Sequence, residues 1–227
     1  MSGSRVRVPV NGREIDAYVS PAAGGTGPGV IVIQEWWGLV PHIEDLCDRY
    51  AAAGFTALSP DLYHGESAKS PDEAGKLMMA LEIEETEKDL RSAVTYLLAH
   101  PACTSRTVGT VGFCMGGMLS LFAAGASPDG VSACIDYYGI HPNVHPDFAA
   151  MRAPVLGFFG AHDPMVTPDT VSELEATIRA AGRDVEFHSY ADAGHAFFND
   201  TRPDAYHAAS AEDTWKRALE FFRTHVK

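Results

Sequence analysis

The chain has 227 residues, 46% of them hydrophobic and 21% charged, the composition of an ordinary globular protein with no tract that suggests disorder. Its formal charge of −13 excludes the basic face that a nucleic-acid or anionic-membrane partner needs. The longest apolar runs fall far short of a membrane span, and Met1 to Val10 holds no apolar stretch of signal-peptide length, so a cytoplasmic protein is expected. Residues 5–10 and 14–19 alternate apolar and polar around Asn11-Gly12, which predicts a β-hairpin. After a Gly- and Pro-rich loop, Val30-Ile31-Val32-Ile33 reads as a short buried strand. Apolar residues at 43, 46, 47 and 50 predict a helix over 42–53 that Gly54 ends. A strand follows at 55–58, then helices over 71–80 and 83–99, the second with Glu84/Lys88 and Glu87/Arg91 pairs on its wet side. Strands are predicted at 107–111, 131–137, 155–159 and 185–190, and helices at 115–124, 168–181 and from 208 to 222. Strands alternating with helices after an opening hairpin imply an α/β fold, a mostly parallel, doubly wound sheet of about seven or eight strands. With no repeat and no linker, one domain over 1–227 is expected.

The four cysteines stand at 47, 103, 114 and 134 without CxxC spacing, a usage that suits free thiols in a reducing compartment. Cys47 and Cys134 fall on apolar faces and read as small buried hydrophobes. Cys103 is expected in a loop. Cys114 differs in its setting, because Gly112-Phe113-Cys114-Met115-Gly116-Gly117 lies where a buried strand turns directly into a helix. Such a turn strains the central residue and lifts its side chain above the carboxyl ends of the strands, where open α/β sheets place their ligands. It also sets the thiol at a helix N-terminus, which favours thiolate. An inert thiol in a close-packed glycine turn is the competing interpretation of this segment alone.

In a fold of this kind the partners follow in the order nucleophile, acid, histidine. Gly160-Ala161-His162-Asp163 offers a carboxylate after one strand, and Ala193-Gly194-His195 an imidazole after the next. Cys114, Asp163 and His195 are thus the expected triad, and His162, which precedes the acid, is read as a loop residue. The histidines show no metal-binding spacing, so no metal is expected. The strand before Gln34-Glu35-Trp36-Trp37-Gly38 should lend the Trp36 main-chain N–H to an oxyanion hole, with the Met115 N–H as its partner. Glu35 would then lie near Cys114 and oppose a thiolate, unless it serves a structural ion pair. Trp37, Tyr63, Tyr138 and Phe197 are candidate substrate-binding residues, with core packing the competing explanation for at least one of them, and the segment 64–80 is a candidate lid.

With Gln34-Glu35-Trp36-Trp37-Gly38, Pro60-Asp61-Leu62-Tyr63, Gly112-Phe113-Cys114-Met115-Gly116-Gly117, Gly160-x-x-Asp163 and Gly194-His195-x-Phe197 in this order, the chain resembles the dienelactone hydrolase family over nearly its whole length. The resemblance implies an α/β-hydrolase fold and a monomeric, cytoplasmic enzyme without a cofactor. Its small-molecule substrates would be esters or lactones such as the dienelactones of chlorinated-aromatic degradation. It further implies that Glu35 holds the resting thiol and moves when substrate binds. Members specialised for dienelactones bind the substrate carboxylate with a serine directly after the catalytic histidine and with arginines nearby. Here Ala196 and Asn199 occupy those places and no arginine occurs between Arg49 and Arg91, although Lys69 and Lys76 are available. The expected function is a cysteine-nucleophile hydrolase acting through a thioester. A general carboxylesterase or thioesterase of the same fold is the near alternative. A redox-sensing binding protein using Cys114 is the alternative from another class.

Overall fold

The computed structural model describes residues 3–227. In chain order its elements are β1 (Ser4–Val10), β2 (Arg13–Ser20), β3 (Gly27–Ile33), α1 (Pro41–Ala52), β4 (Thr56–Pro60), α2 (Pro71–Met79), α3 (Ile83–Ala99), β5 (Cys103–Phe113), α4 (Met115–Ala126), β6 (Val131–Tyr137), β7 (Val155–Gly160), α5 (Pro168–Ala180), β8 (Val185–Tyr190) and α6 (Ala208–His225). The strands form one eight-stranded sheet in the order β1-β2-β4-β3-β5-β6-β7-β8. The opening hairpin turns at Asn11-Gly12, both with positive φ, and joins the sheet through the antiparallel β2–β4 pair. Every pair from β4 to β8 is parallel. The α/β-hydrolase type of sheet expected from the sequence is therefore present, with the strand count at the upper end of the expectation.

Alternation along the central strands divides the core into two layers. Ile31 and Ile33 face one side, with Leu90, Leu97, Leu119 and Ile178 from α3, α4 and α5. Val30 and Val32 face the other, with Leu46, Tyr50 and Phe222 from α1 and α6. Burial on both faces explains why these strands are continuous apolar runs rather than alternating ones. The hairpin is tied to the body by Arg13, whose guanidinium reaches the buried Asp89 of α3 at 2.5 Å.

Two expectations are corrected. β5 begins at Cys103 rather than Thr107, because Gly27 of β3 pairs with Cys103. The polar run Thr104-Ser105-Arg106 concealed those residues from a search for apolar runs. Cys103 is accordingly a half-buried strand residue, its Sγ 3.6 Å from Ser105 Oγ, rather than a loop thiol.

Candidate active site

Every side chain singled out in the sequence for chemistry lies beyond the carboxyl end of a strand. Glu35 follows β3, Cys114 follows β5, Asp163 follows β7 and His195 follows β8. Because β3 and β5 are neighbours, as are β7 and β8, the topology sets Glu35 beside the end of the strand that carries Cys114, and Asp163 beside the end of the strand that carries His195.

Cys114 caps the N-terminus of α4 with φ 54° and ψ −121°, a strained conformation for a residue with a side chain, worth about 1–3 kcal/mol. Its surroundings keep it there. The Cys114 N–H donates to Tyr137 O at 3.0 Å, and its carbonyl accepts from Gly117 N at 2.9 Å and Ile140 N at 3.2 Å. The flanking glycines are steric necessities: a Cβ on Gly112 would lie 1.8 Å from Gly116 O, and one on Gly116 would lie 2.4 Å from Gln34 O. The thiol itself is only 2% exposed.

Asp163 is fully enclosed as a side chain. Its Oδ1 accepts from the N–H groups of Met165 and Val166 at 2.8 and 3.0 Å, which leaves Oδ2 for His195 Nδ1 at 2.7 Å. Two backbone donors on the first oxygen identify the group as an acceptor, so Nδ1–H of the imidazole donates to it. The His195 Nε2 atom is buried without a well-formed hydrogen bond. Burial alone would lower the histidine's pKa. The bond to Asp163 and the nearby Cys114 side chain outweigh it and raise the value to about 10. The loops bearing acid and base press together at Gly160, where a Cβ would meet Ala193 O at 2.5 Å. His162 stays exposed, as a loop residue.

Glu35 is 2% exposed. Its Oε2 accepts from Asn199 Nδ2 at 2.8 Å, while Oε1 is buried without a partner. Asn199 cannot flip, because its Oδ1 accepts from both the N–H and the hydroxyl of Thr201 at 3.0 and 2.6 Å. Desolvation raises the pKa of Glu35, opposed by the Asn199 bond and, more weakly, by His195 and Arg202. In this state Glu35 is held by Asn199, and among the described residues it makes no hydrogen bond to the thiol. Gly38, with φ 98°, closes the turn after it, and Ala68 N donates to Trp37 O at 3.0 Å. Neither the Trp36 nor the Met115 N–H donates to another group among the described residues, so both remain available.

Beside Glu35 opens a cavity of about 310 Å³ lined by Trp37, Val40, His42, Ala68, Asn199, Thr201 and Arg202. Of the four expected substrate-binding side chains, Trp37 alone lines it. Tyr63 is 7% exposed and donates from its hydroxyl to Met115 Sδ at 3.2 Å. Tyr138 and Phe197 are fully buried and stack edge to face 5.3 Å apart, Tyr138 also lying 5.1 Å from the His195 ring. Arg202, which no sequence motif singled out, stands over the Trp37 ring at 5.8 Å. His42 lines the same cavity with neither ring nitrogen hydrogen-bonded among the described residues, its Nδ1 3.7 Å from Asp200 Oδ1, and burial lowers its pKa against the opposing Asp200 charge. Neither lysine considered as an arginine substitute is on this wall: Lys69 is exposed and Lys76 pairs with Asp72. Among the described residues no cluster suited to a metal ion occurs, and no helix is long and apolar enough to cross a membrane.

Comparison with known proteins places this geometry in context. Residues 15–226 match the model of the Dienelactone hydrolase family. Protein usf of Aquifex pyrophilus is 34% identical over 230 residues, covering 99% of each chain. A protein of Aquifex aeolicus assigned as a carboxymethylenebutenolidase is 31% identical, over 99% of this chain and 100% of that one. The crystal structure of a Klebsiella pneumoniae protein assigned as a dienelactone hydrolase superposes with a TM-score of 0.87 at 31% identity, over 97% of this chain and 98% of that one.

Proposed function

The chain belongs to the dienelactone hydrolase family, and from that membership we propose that it hydrolyses an activated ester or enol lactone with Cys114 as its nucleophile. The observation that carries this reading is the His195 imidazole. Its Nδ1 is fixed on the buried Asp163 carboxylate and its Nε2 is buried, and the Asp163 bond first and the Cys114 side chain second raise its proton affinity. An imidazole in that state stabilises a thiolate as an ion pair.

The thiolate attacks the substrate carbonyl carbon, and the carbonyl electrons move onto an oxygen held by the N–H groups of Trp36 and Met115. Collapse of the tetrahedral intermediate expels the alkoxide or enolate, which takes the proton from His195 Nε2 and leaves a thioester on Cys114. Water then gives a proton to Nε2 and attacks the thioester, and the thiolate departs. An enolate leaves readily, whereas a plain alkoxide competes poorly with thiolate as a leaving group, so activated esters are preferred. Arg202 is placed to receive an anionic substituent of the substrate, the role for which the sequence between Arg49 and Arg91 offers no arginine. The reaction needs no cofactor, and a single chain supplies all its groups.

The test compares wild-type protein, Cys114→Ala and Arg202→Ala on cis- and trans-dienelactone and on p-nitrophenyl acetate. Cys114→Ala loses hydrolysis of all three. Arg202→Ala raises KM for the anionic lactones by about 10-fold or more, equivalent to about 1.4 kcal/mol, and leaves the neutral acetate within about twofold. Undiminished turnover by Cys114→Ala would remove the nucleophile assignment, and equal KM changes on both substrate types would remove the anion-binding role of Arg202.

A further inference from the structure

One carboxyl group in the core takes no part in this chemistry. Asp136, on β6, is fully buried, and neither of its oxygens makes a well-formed hydrogen bond. Two glycines make room for it: a Cβ on Gly117 or on Gly139 would lie 2.2 Å from Asp136 Oδ1. Gly117 belongs to the first turn of α4, and Gly139 lies in the segment that grips the nucleophile. Tyr137, which directly follows Asp136, and Ile140, which directly follows Gly139, are the residues bonded to Cys114, through Tyr137 O and Ile140 N. The carboxyl therefore sits under the N-terminal turn of α4, on the inner side of the turn that Cys114 caps.

Among the described residues no charged group offsets it. α4 and β7 carry no ionisable side chain. The ionisable residues of β5, Cys103 and Arg106, are at the opposite end from Gly112, which pairs with Asp136. On its other side Asp136 pairs with Gly157. On β6, Cys134 shares its side of the strand and is kept neutral by its own burial, while Tyr137 faces the other layer. Desolvation accordingly raises the pKa of Asp136 to about 7, against a small opposing effect of the Gly139 N–H.

We propose that Asp136 is a positioning residue for the hydrolysis: as a neutral carboxyl it leaves the positive end of α4 to Cys114 and the Met115 N–H, and once ionised it holds the nucleophile back. A carboxylate under the first turn draws on the same N–H dipoles that stabilise negative charge on Sγ and on the oxyanion. In this dry setting its repulsion is weakly screened. The proton lost on ionisation passes to solvent, so the device is a brake applied as pH rises through neutrality.

The inference rests on Cys114 being the nucleophile, and its test reads the thiol directly. Alkylation of Cys114 by iodoacetamide is followed by mass spectrometry of its peptide, in wild-type protein and in the neutral, near-isosteric Asp136→Asn. The expected ratio of variant to wild-type rates is near one at pH 6 and rises to about 10 at pH 8.5, the effect of about one pKa unit. The same substitution removes a basic limb near pH 7 from kcat/KM for p-nitrophenyl acetate. A ratio that is the same at both pH values would overturn the proposal, since a purely structural effect has no reason to follow pH. If Asp136→Asn does not fold, wild-type protein labelled with carboxyl-13C aspartate decides: one buried carboxyl titrating near neutrality supports the proposal, and all aspartates titrating in the ordinary acidic range overturn it. Hydrolysis by Cys114→Ala would refute the nucleophile assignment separately, leaving the alkylation ratio to report on Asp136 alone.

Discussion

At the scale of single residues the site is a contest between charges in a space with little water. Glu35 is the clearest case, a buried carboxyl with one oxygen on Asn199 and the other on nothing. Its folded-state pKa is raised by desolvation, so ionisation costs stability. That cost is absent while the group is protonated in both folded and unfolded chains, and it grows as pH rises from the ordinary carboxylate range through the raised value. Glu35→Gln keeps an acceptor for Asn199 and removes the charge. Its melting temperature should equal wild type at about pH 4 and exceed it by a few degrees at about pH 8. Scanning calorimetry at the two pH values checks this, and a constant offset would mean that Glu35 is not a strained anion. The raised pKa of His195 has the opposite consequence for function. Its proton is retained through neutrality and lost only toward about pH 10, so the imidazolium persists over the range in which Asp136 titrates.

At the scale of elements, the site is made by loops forced into contact. Gly160 is the tightest point between the ends of β7 and β8. A Cβ there meets Ala193 O at 2.5 Å and Gly194 O at 2.6 Å, and both are backbone atoms that cannot rotate aside. Gly160→Ala should cost about 1–3 kcal/mol by urea denaturation and separate Asp163 from His195. The loss in kcat/KM should reach about 10- to 100-fold. A variant with lowered stability but unchanged kcat/KM would show that the two loops move together. The elements behind this contact are legible in the amino-acid sequence, because the apolar runs at 30–33 and 155–159 and the turn at Gly112–Gly117 carry their signal locally. Polar residues hid the start of β5. Arg202 and His42 were illegible for another reason: their place beside Glu35 comes from separate loops meeting, and neither sits in a local pattern that marks a cavity wall. The same limit applies to Tyr138, which directly follows β6, and to Phe197, two residues after His195, whose full burial only packing could reveal.

At the scale of the whole molecule, the charge of −13 acts on stability through self-repulsion of the compact state. Most ion pairs, such as Lys76–Asp72 and Lys216–Glu212, are exposed and lose little when screened. Screening of the net charge should therefore dominate. Raising NaCl from about 20 to about 300 mM should lift the melting temperature by about 2–4 °C, the equivalent of about 1 kcal/mol for a chain of this size. A fall over that range would show that ion pairs, Arg13–Asp89 foremost, outweigh the repulsion. The arrangement of the sheet was foreseeable at this scale because a parallel sheet covered on both faces demands strands and helices in alternation. The gathering of Glu35 with Cys114 and of Asp163 with His195 follows from the adjacency of β3 with β5 and of β7 with β8.

The tryptophans give this architecture an optical consequence. The chain has three: Trp36 and Trp37 stand edge to face, 5.3 Å apart, where the expected oxyanion donor meets the cavity wall, and Trp215 packs on Tyr50. A ligand entering beneath Arg202 must alter the surroundings of Trp37 while leaving Trp215 untouched. Quenching or a wavelength shift of intrinsic fluorescence thus becomes a label-free gauge of occupancy, and Trp215→Phe would lower its background. Compound libraries can be screened for binding in this way, without knowledge of the turnover they support.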